Sequence, residues 1–164
     1  MKRYLCPFIL LLIAAGVQGN LPSSISLMGA KPDLVLVVLI AYALASDPVF
    51  GAGLGFVAGL IQGSAVGLSL GSFIVTRTIT GFLAGFVTTR LFSENPIVPV
   101  LSAAWLTLVC EGLLIFVSPR FEWAVSTRII IGECIYNAFF TLVLYLILRH
   151  FELRRKIKLA DARL

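Results

Sequence analysis

Three stretches of this chain, 70–90, 97–117 and 127–148, are apolar for long enough to cross a lipid bilayer, and each holds one ionisable residue well away from its ends: Arg77, Glu111 and Glu133. A helix needs about 20 residues at about 1.5 Å each to cover a hydrocarbon core of about 30 Å, so each stretch makes one crossing. Composition agrees, with 59% of the 164 residues hydrophobic and only 13% charged. A soluble domain needs about 25% charged residues to cover its surface, so the solvent of this protein is lipid. A transmembrane β-barrel would alternate apolar and polar residues over segments of about 10, whereas these runs are continuously apolar. The fold class expected is an all-α membrane protein.

Three further apolar segments bring the count to six, with spans at about 4–18, 32–46, 49–63, 70–90, 97–117 and 127–148. Six crossings use about 120 residues, which leaves no room for a second domain outside the membrane and makes 1–164 a single integral membrane domain. The start, MKRYLCPFILLLIAAGVQGN, has the basic and apolar parts of a signal peptide as well as those of a first helix. It is expected to be retained as a helix, because the later segments insert without cleavage.

A polar link runs from Gln18 to Asp33, and Pro32 and Asp33 mark the start of the second helix. Proline loses nothing in the first turn of a helix, and an anion is favoured at a helix N-terminus. That helix is expected to run to Ser46 and to end in a tight turn at Asp47-Pro48. In the third segment Gly51, Gly55, Gly59 and Gly63 recur every four residues, with Gly67 and Gly71 continuing the spacing around a short link expected at 63–68. Residues four apart share a helix face, so the first four glycines form a seam where another backbone approaches closely. That other backbone belongs either to this chain or to a partner's transmembrane helix. Gly81 and Gly85 form a second small pair in the fourth span, and turns are expected at Ser93–Pro96 and through the SPRFEWAVST link.

With the N-terminus placed inside, nine basic residues fall on the cytoplasmic side: Lys2, Arg3, Arg90, Arg149, Arg154, Arg155, Lys156, Lys158 and Arg163. Only Lys31, Arg120 and Arg128 fall outside, so the positive-inside rule puts both termini in the cytoplasm. The basic tail 149–164 reads as an anchor for anionic lipid headgroups at the cytoplasmic face and not as a nucleic-acid site.

Given that orientation, Arg77, Glu111 and Glu133 each lie about 9–10 Å from the outer end of their spans, in one layer. Gln62 and Asn137 join it, the latter one turn from Glu133 on the same helix face. A charge at this depth costs at least about 2.5–3.5 kcal/mol, so the layer calls for a reason. It is either glue, with Arg77 neutralising one glutamate and locking helices together, or a polar cavity open to the outer leaflet. Catalytic groups are otherwise missing: the single histidine, His150, ends the last span, and no nucleophile triad or phosphate loop is present. Cys6, Cys110 and Cys134 are scattered through apolar runs, which suits small packing residues and neither a disulfide framework nor a metal site.

KPDL at 31–34, GAGLGFVAGLIQG at 51–63, GFLAGF at 81–86 and the E-x-x-x-N pair of Glu133 and Asn137 occur in an order that resembles the rod shape-determining protein MreD family over nearly the whole chain. One position departs from the family's pattern: where an aspartate commonly follows the third span, Gly63 follows Gln62 here. The resemblance implies a non-catalytic scaffold of the bacterial cell-elongation machinery in the inner membrane, without a cofactor. It also implies a single-span partner of the MreC type, with a RodA-type polymerase, a class B penicillin-binding transpeptidase and the MreB filament in the same assembly. A second class of function fits the same size and span number, the substrate-binding membrane subunit of an energy-coupling-factor type vitamin or metal importer. In that class the outer layer would be the ligand pocket, although the outer loops are expected to be too short to cap it.

Overall fold

The computed structural model describes residues 2–67, 70–90, 97–117 and 123–161. They form six α-helices: α1 (Lys2–Gly19), α2 (Leu34–Ala43), α3 (Pro48–Val66), α4 (Leu70–Arg90), α5 (Ile97–Val117) and α6 (Trp123–Asp161). Four segments, Pro48–Val66, Leu70–Val87, Ile97–Val117 and Thr127–His150, are long and apolar enough to cross a membrane. The turn expected at 93–96, the first half of the link expected after α5, Arg120 and Arg163 lie outside the described residues, while the second half of that link is already helix, α6 starting at Trp123 and not at 127.

The second helix is the main departure from the expected spans. It covers 34–43 and not 32–46, about 15 Å of helix, which is half a crossing. Asp33 caps it, accepting from the Leu36 N–H at 3.0 Å, and Pro32 precedes the cap instead of sitting in the first turn. Its sequence LVLVVLIAYA is apolar on every side, and a helix of that kind belongs inside a bundle. Val35 to Ala41 are all buried, and α2 packs against each of the other five helices. It is the axis of the fold. Around it gather Leu11 of α1, Leu54 of α3, Ala84 of α4, Leu106 of α5 and Ala138 of α6, all buried.

The link before α2 supplies what the short helix lacks. After a 3-10 turn at Ser23–Ile25, Leu27 and Ala30 exchange two backbone hydrogen bonds of 2.9 Å around Met28 and Gly29. Both turn residues have positive φ, 56° and 88°, the geometry of a two-residue hairpin turn. The hairpin lies on α6. A Cβ on Gly132 would come within 2.5 Å of the Leu27 carbonyl oxygen and 2.8 Å of the Ala30 Cβ, so only glycine admits it there. The Tyr136 hydroxyl donates to the Ile25 carbonyl, and Lys31 Nζ donates to that of Leu21 at 2.7 Å. The backbone of the link thus folds onto the bundle where it approaches membrane depth, as irregular backbone must.

The glycine seam faces α4. A Cβ on Gly51 would collide with the Gly81 carbonyl, one on Gly55 with that of Arg77, and one on Gly59 would sit 2.5 Å from the Ile74 Cα. At the ends, Gly63 meets Leu70 and Gly85 meets the backbone of Asp47. These two antiparallel helices lie backbone against backbone along the whole seam, which leaves no space there for a partner's helix. α3 extends beyond the expected end at 63 to Val66, with Gly67 its left-handed cap at φ 70°, while nothing lies within 4 Å of a Cβ on Gly71. At the other end of the chain the helix does not stop at 148: α6 continues through the basic segment to Asp161.

Candidate functional site: a buried ion-pair layer

Because α2 starts halfway through the bundle, its capping residue lies inside the protein, and Asp33 is only 6% exposed. Its two carboxylate oxygens divide their work. Oδ1 accepts the Leu36 N–H, while Oδ2 accepts Arg77 Nη2 at 2.5 Å and Gln62 Nε2 at 3.0 Å. Arg77, 1% exposed, is the hub. Its Nε donates to Gln62 Oε1 at 2.8 Å, and its Nη1 donates to the Cys110 sulfur and lies 3.7 Å from Glu111 Oε1. The guanidinium stands 5.9 Å from the centre of the Phe73 ring. Arginine suits this position because its planar fork of donors reaches several acceptors at once.

Asn137 closes the layer on the α6 side. Its Oδ1 accepts the Asp33 N–H at 3.0 Å, and its Nδ2 lies 3.4 Å from Thr107 Oγ1 of α5. From α1, Gln18 Oε1 accepts the Val35 N–H at 3.2 Å, a second cap for the buried start of α2. Every helix therefore contributes a side chain to the N-terminus of α2 or to the charges around it.

Of the residues expected in one layer, Arg77, Glu111, Gln62 and Asn137 are brought together. Glu133 is not joined to them: it is half-buried on α6 and makes no hydrogen bond or ion pair among the described residues. The principal partner of Arg77 is Asp33, which sequence reasoning placed at a helix start and not in the layer. The signal was present, since a carboxylate that opens a uniformly apolar helix must follow it inward. Cys110 also belongs to the site, as an acceptor for Arg77 and not only a packing residue.

Chemically the arrangement pairs one buried cation with two carboxylates and neutral acceptors. Among the described residues no group of three His, Cys, Asp or Glu side chains is placed to hold a metal ion. The family model for the rod shape-determining protein MreD matches residues 1–155. The chain belongs to the MreD family. MreD proteins serve rod shape determination, and four long apolar helices agree with a membrane protein of that family. Neither a comparison with curated proteins nor one with solved structures finds a match. The MreD assignment thus comes with the family's role, while the layer around Arg77 is read from geometry alone.

Proposed function

We propose that this MreD-family protein is a non-catalytic scaffold of the bacterial cell-elongation complex in the inner membrane, with both termini cytoplasmic. The family match over residues 1–155 carries the reading. The geometry suits a scaffold: Arg77 and its acceptors tie α3, α4 and α5 to the start of the central half-helix, and Asn137 and Gln18 join α6 and α1 to it. A single-span protein of the MreC type is the partner proposed, with a RodA-type polymerase, a class B penicillin-binding transpeptidase and the MreB filament in the wider assembly. Since the glycine seam is filled by α4, that partner docks elsewhere on the surface. The basic end of α6 meets anionic lipid at the cytoplasmic face.

The test is depletion of the protein in its rod-shaped host, together with co-purification of the full-length chain and its MreC-type partner. Rounding of the cells and recovery of the partner are expected. Cells that stay rod-shaped, or a chain that emerges without the partner, reject the reading.

A second reading, the substrate-binding subunit of an importer, has one observation in its favour. The hairpin at Leu27–Ala30 lies beside the polar layer, so the bundle has a cap that the loop lengths did not suggest. Native mass spectrometry that finds a small ligand retained by the purified chain would favour it.

A further inference from the structure

Arg77 shares the layer with the carboxylates of Asp33 and Glu111, and Glu133, expected with them, is left over. Arg77 donates to Asp33, Gln62 and Cys110 and lies 3.7 Å from Glu111, and it makes no ion pair with Glu133. Lys31 is turned to the Leu21 carbonyl. At about 100° per residue, Arg128 lies on the side of α6 that bears the exposed Ile131, Ile135 and Phe139, well round the helix from Glu133. No cation of the described residues reaches this carboxylate.

The position of Glu133 on α6 says from where a partner could come. Gly132 and Tyr136 touch the hairpin, and Asn137 and Thr141, both 0% exposed, face the interior. Glu133 lies between those two sides, six residues or about 9 Å beyond Thr127, where the apolar part of α6 begins. It is half-buried, not sealed, and a helical side chain leans toward the N-terminal end of its helix, which here is the end toward Thr127. A bare carboxylate at that depth costs at least about 2.5–3.5 kcal/mol, and a cation brought from outside the chain offsets this.

We propose that Glu133 is the docking point for a basic side chain, lysine or arginine, carried at the hairpin-side end of the transmembrane helix of a single-span partner. The inference rests on the scaffold reading above and names the contact that the glycine seam does not provide. Charge complementarity selects the occupant. An apolar helix alone would leave the carboxylate unpaired and buried deeper, whereas a basic side chain pairs with it and fixes the depth at which the partner docks.

The test uses the full chain co-expressed with its MreC-type partner and compares wild type with Glu133→Gln, which keeps the shape and removes the charge. Loss of a buried charge contact lowers recovery of the partner roughly tenfold or more, while the size-exclusion profile and melting temperature of the chain stay as in wild type. Unchanged recovery with Glu133→Gln overturns this inference and leaves the scaffold reading standing. Failure of wild type to recover the partner removes the scaffold reading as well. Should Glu133→Gln disturb the fold, reversal of charge decides: Glu133→Lys is expected to regain the partner when the partner's basic residue is changed to glutamate, and no rescue at any basic position overturns the pairing. A phosphatidylethanolamine molecule that wild type, and not Glu133→Gln, retains in native mass spectrometry in the presence of the partner also overturns it, since a lipid ammonium would then hold the site.

Discussion

Arg77 of α4 and Asp33 at the start of α2 meet at 2.5 Å inside the bundle, between side chains that are 2% and 8% exposed. The pair joins the most deeply buried cation of the described residues to the cap of the half-length helix α2. Removal of either partner leaves the other charge unpaired in a medium that cannot solvate it, at a cost of about 3–5 kcal/mol. Asp33→Ala and Arg77→Ala should each lower the melting temperature of the purified protein in detergent by many degrees. The double variant should lose much less than the sum of the two, because a coupled pair fails additivity. The cycle of Arg77→Ala with Glu111→Ala, across 3.7 Å, should show the weaker coupling.

The seam predicts opposite signs for two glycines of one helix. Gly55→Ala sets a methyl group against the Arg77 carbonyl, with the Thr78 Cα 2.9 Å away, and both atoms are backbone that cannot turn aside. Forcing α3 and α4 apart should cost at least about 1–3 kcal/mol. Gly53, exposed and with nothing within 4 Å of an added Cβ, should tolerate alanine or gain about 0.5–1 kcal/mol from the lower entropy of the unfolded chain. Denaturation of the two variants in micelles separates them.

The hairpin over α6 should loosen without loss of the bundle. Gly132→Ala meets the Leu27 carbonyl oxygen at 2.5 Å, and Tyr136→Phe removes the donor to the Ile25 carbonyl. Amide exchange measured by mass spectrometry should quicken across 22–30 in both variants. Exchange in α3 and α4 should stay as in wild type.

Topology is open to direct labelling. In a background with the native cysteines replaced, Ser24→Cys, in the exposed link, should react with a membrane-impermeant maleimide on intact spheroplasts. Ala160→Cys should react only after permeabilisation. The nine basic residues on one side against three on the other predict this order, and the reverse pattern would show that the bundle is inserted the other way up.

Helix number, three of the four long spans, the place of Asp33 at a helix start and the face of the glycine seam were all legible in the sequence, because each depends on local pattern. Gly51, Gly55, Gly59 and Gly63 stand four apart, and a helix turns that spacing into a groove whatever fills it. The sequence left open what fills it, and α4 does, since the following helix is the one held nearby by a short connection. The length of α2 misled for a related reason. Apolar residues run on through Leu44 and Ala45, and periodicity cannot tell a full crossing from a buried half-helix when every side is apolar.

Sequence alone determined that this protein lives in lipid, that it is a bundle of helices, that it resembles MreD, and that Arg77 and Glu111 need partners at depth. Apart from the resemblance, which rests on the order of its motifs, these follow from the free energy of transferring each residue type out of water, which does not depend on its neighbours. Tertiary structure decided which acid Arg77 takes. Asp33 precedes it by 44 positions and reaches it only because the link folds back along α6 and starts α2 inside the bundle. The same arrangement leaves Glu133 without a cation, since the hydrogen bonds of Arg77 go to Gln62, Cys110 and Asp33 and its second ion pair is with Glu111.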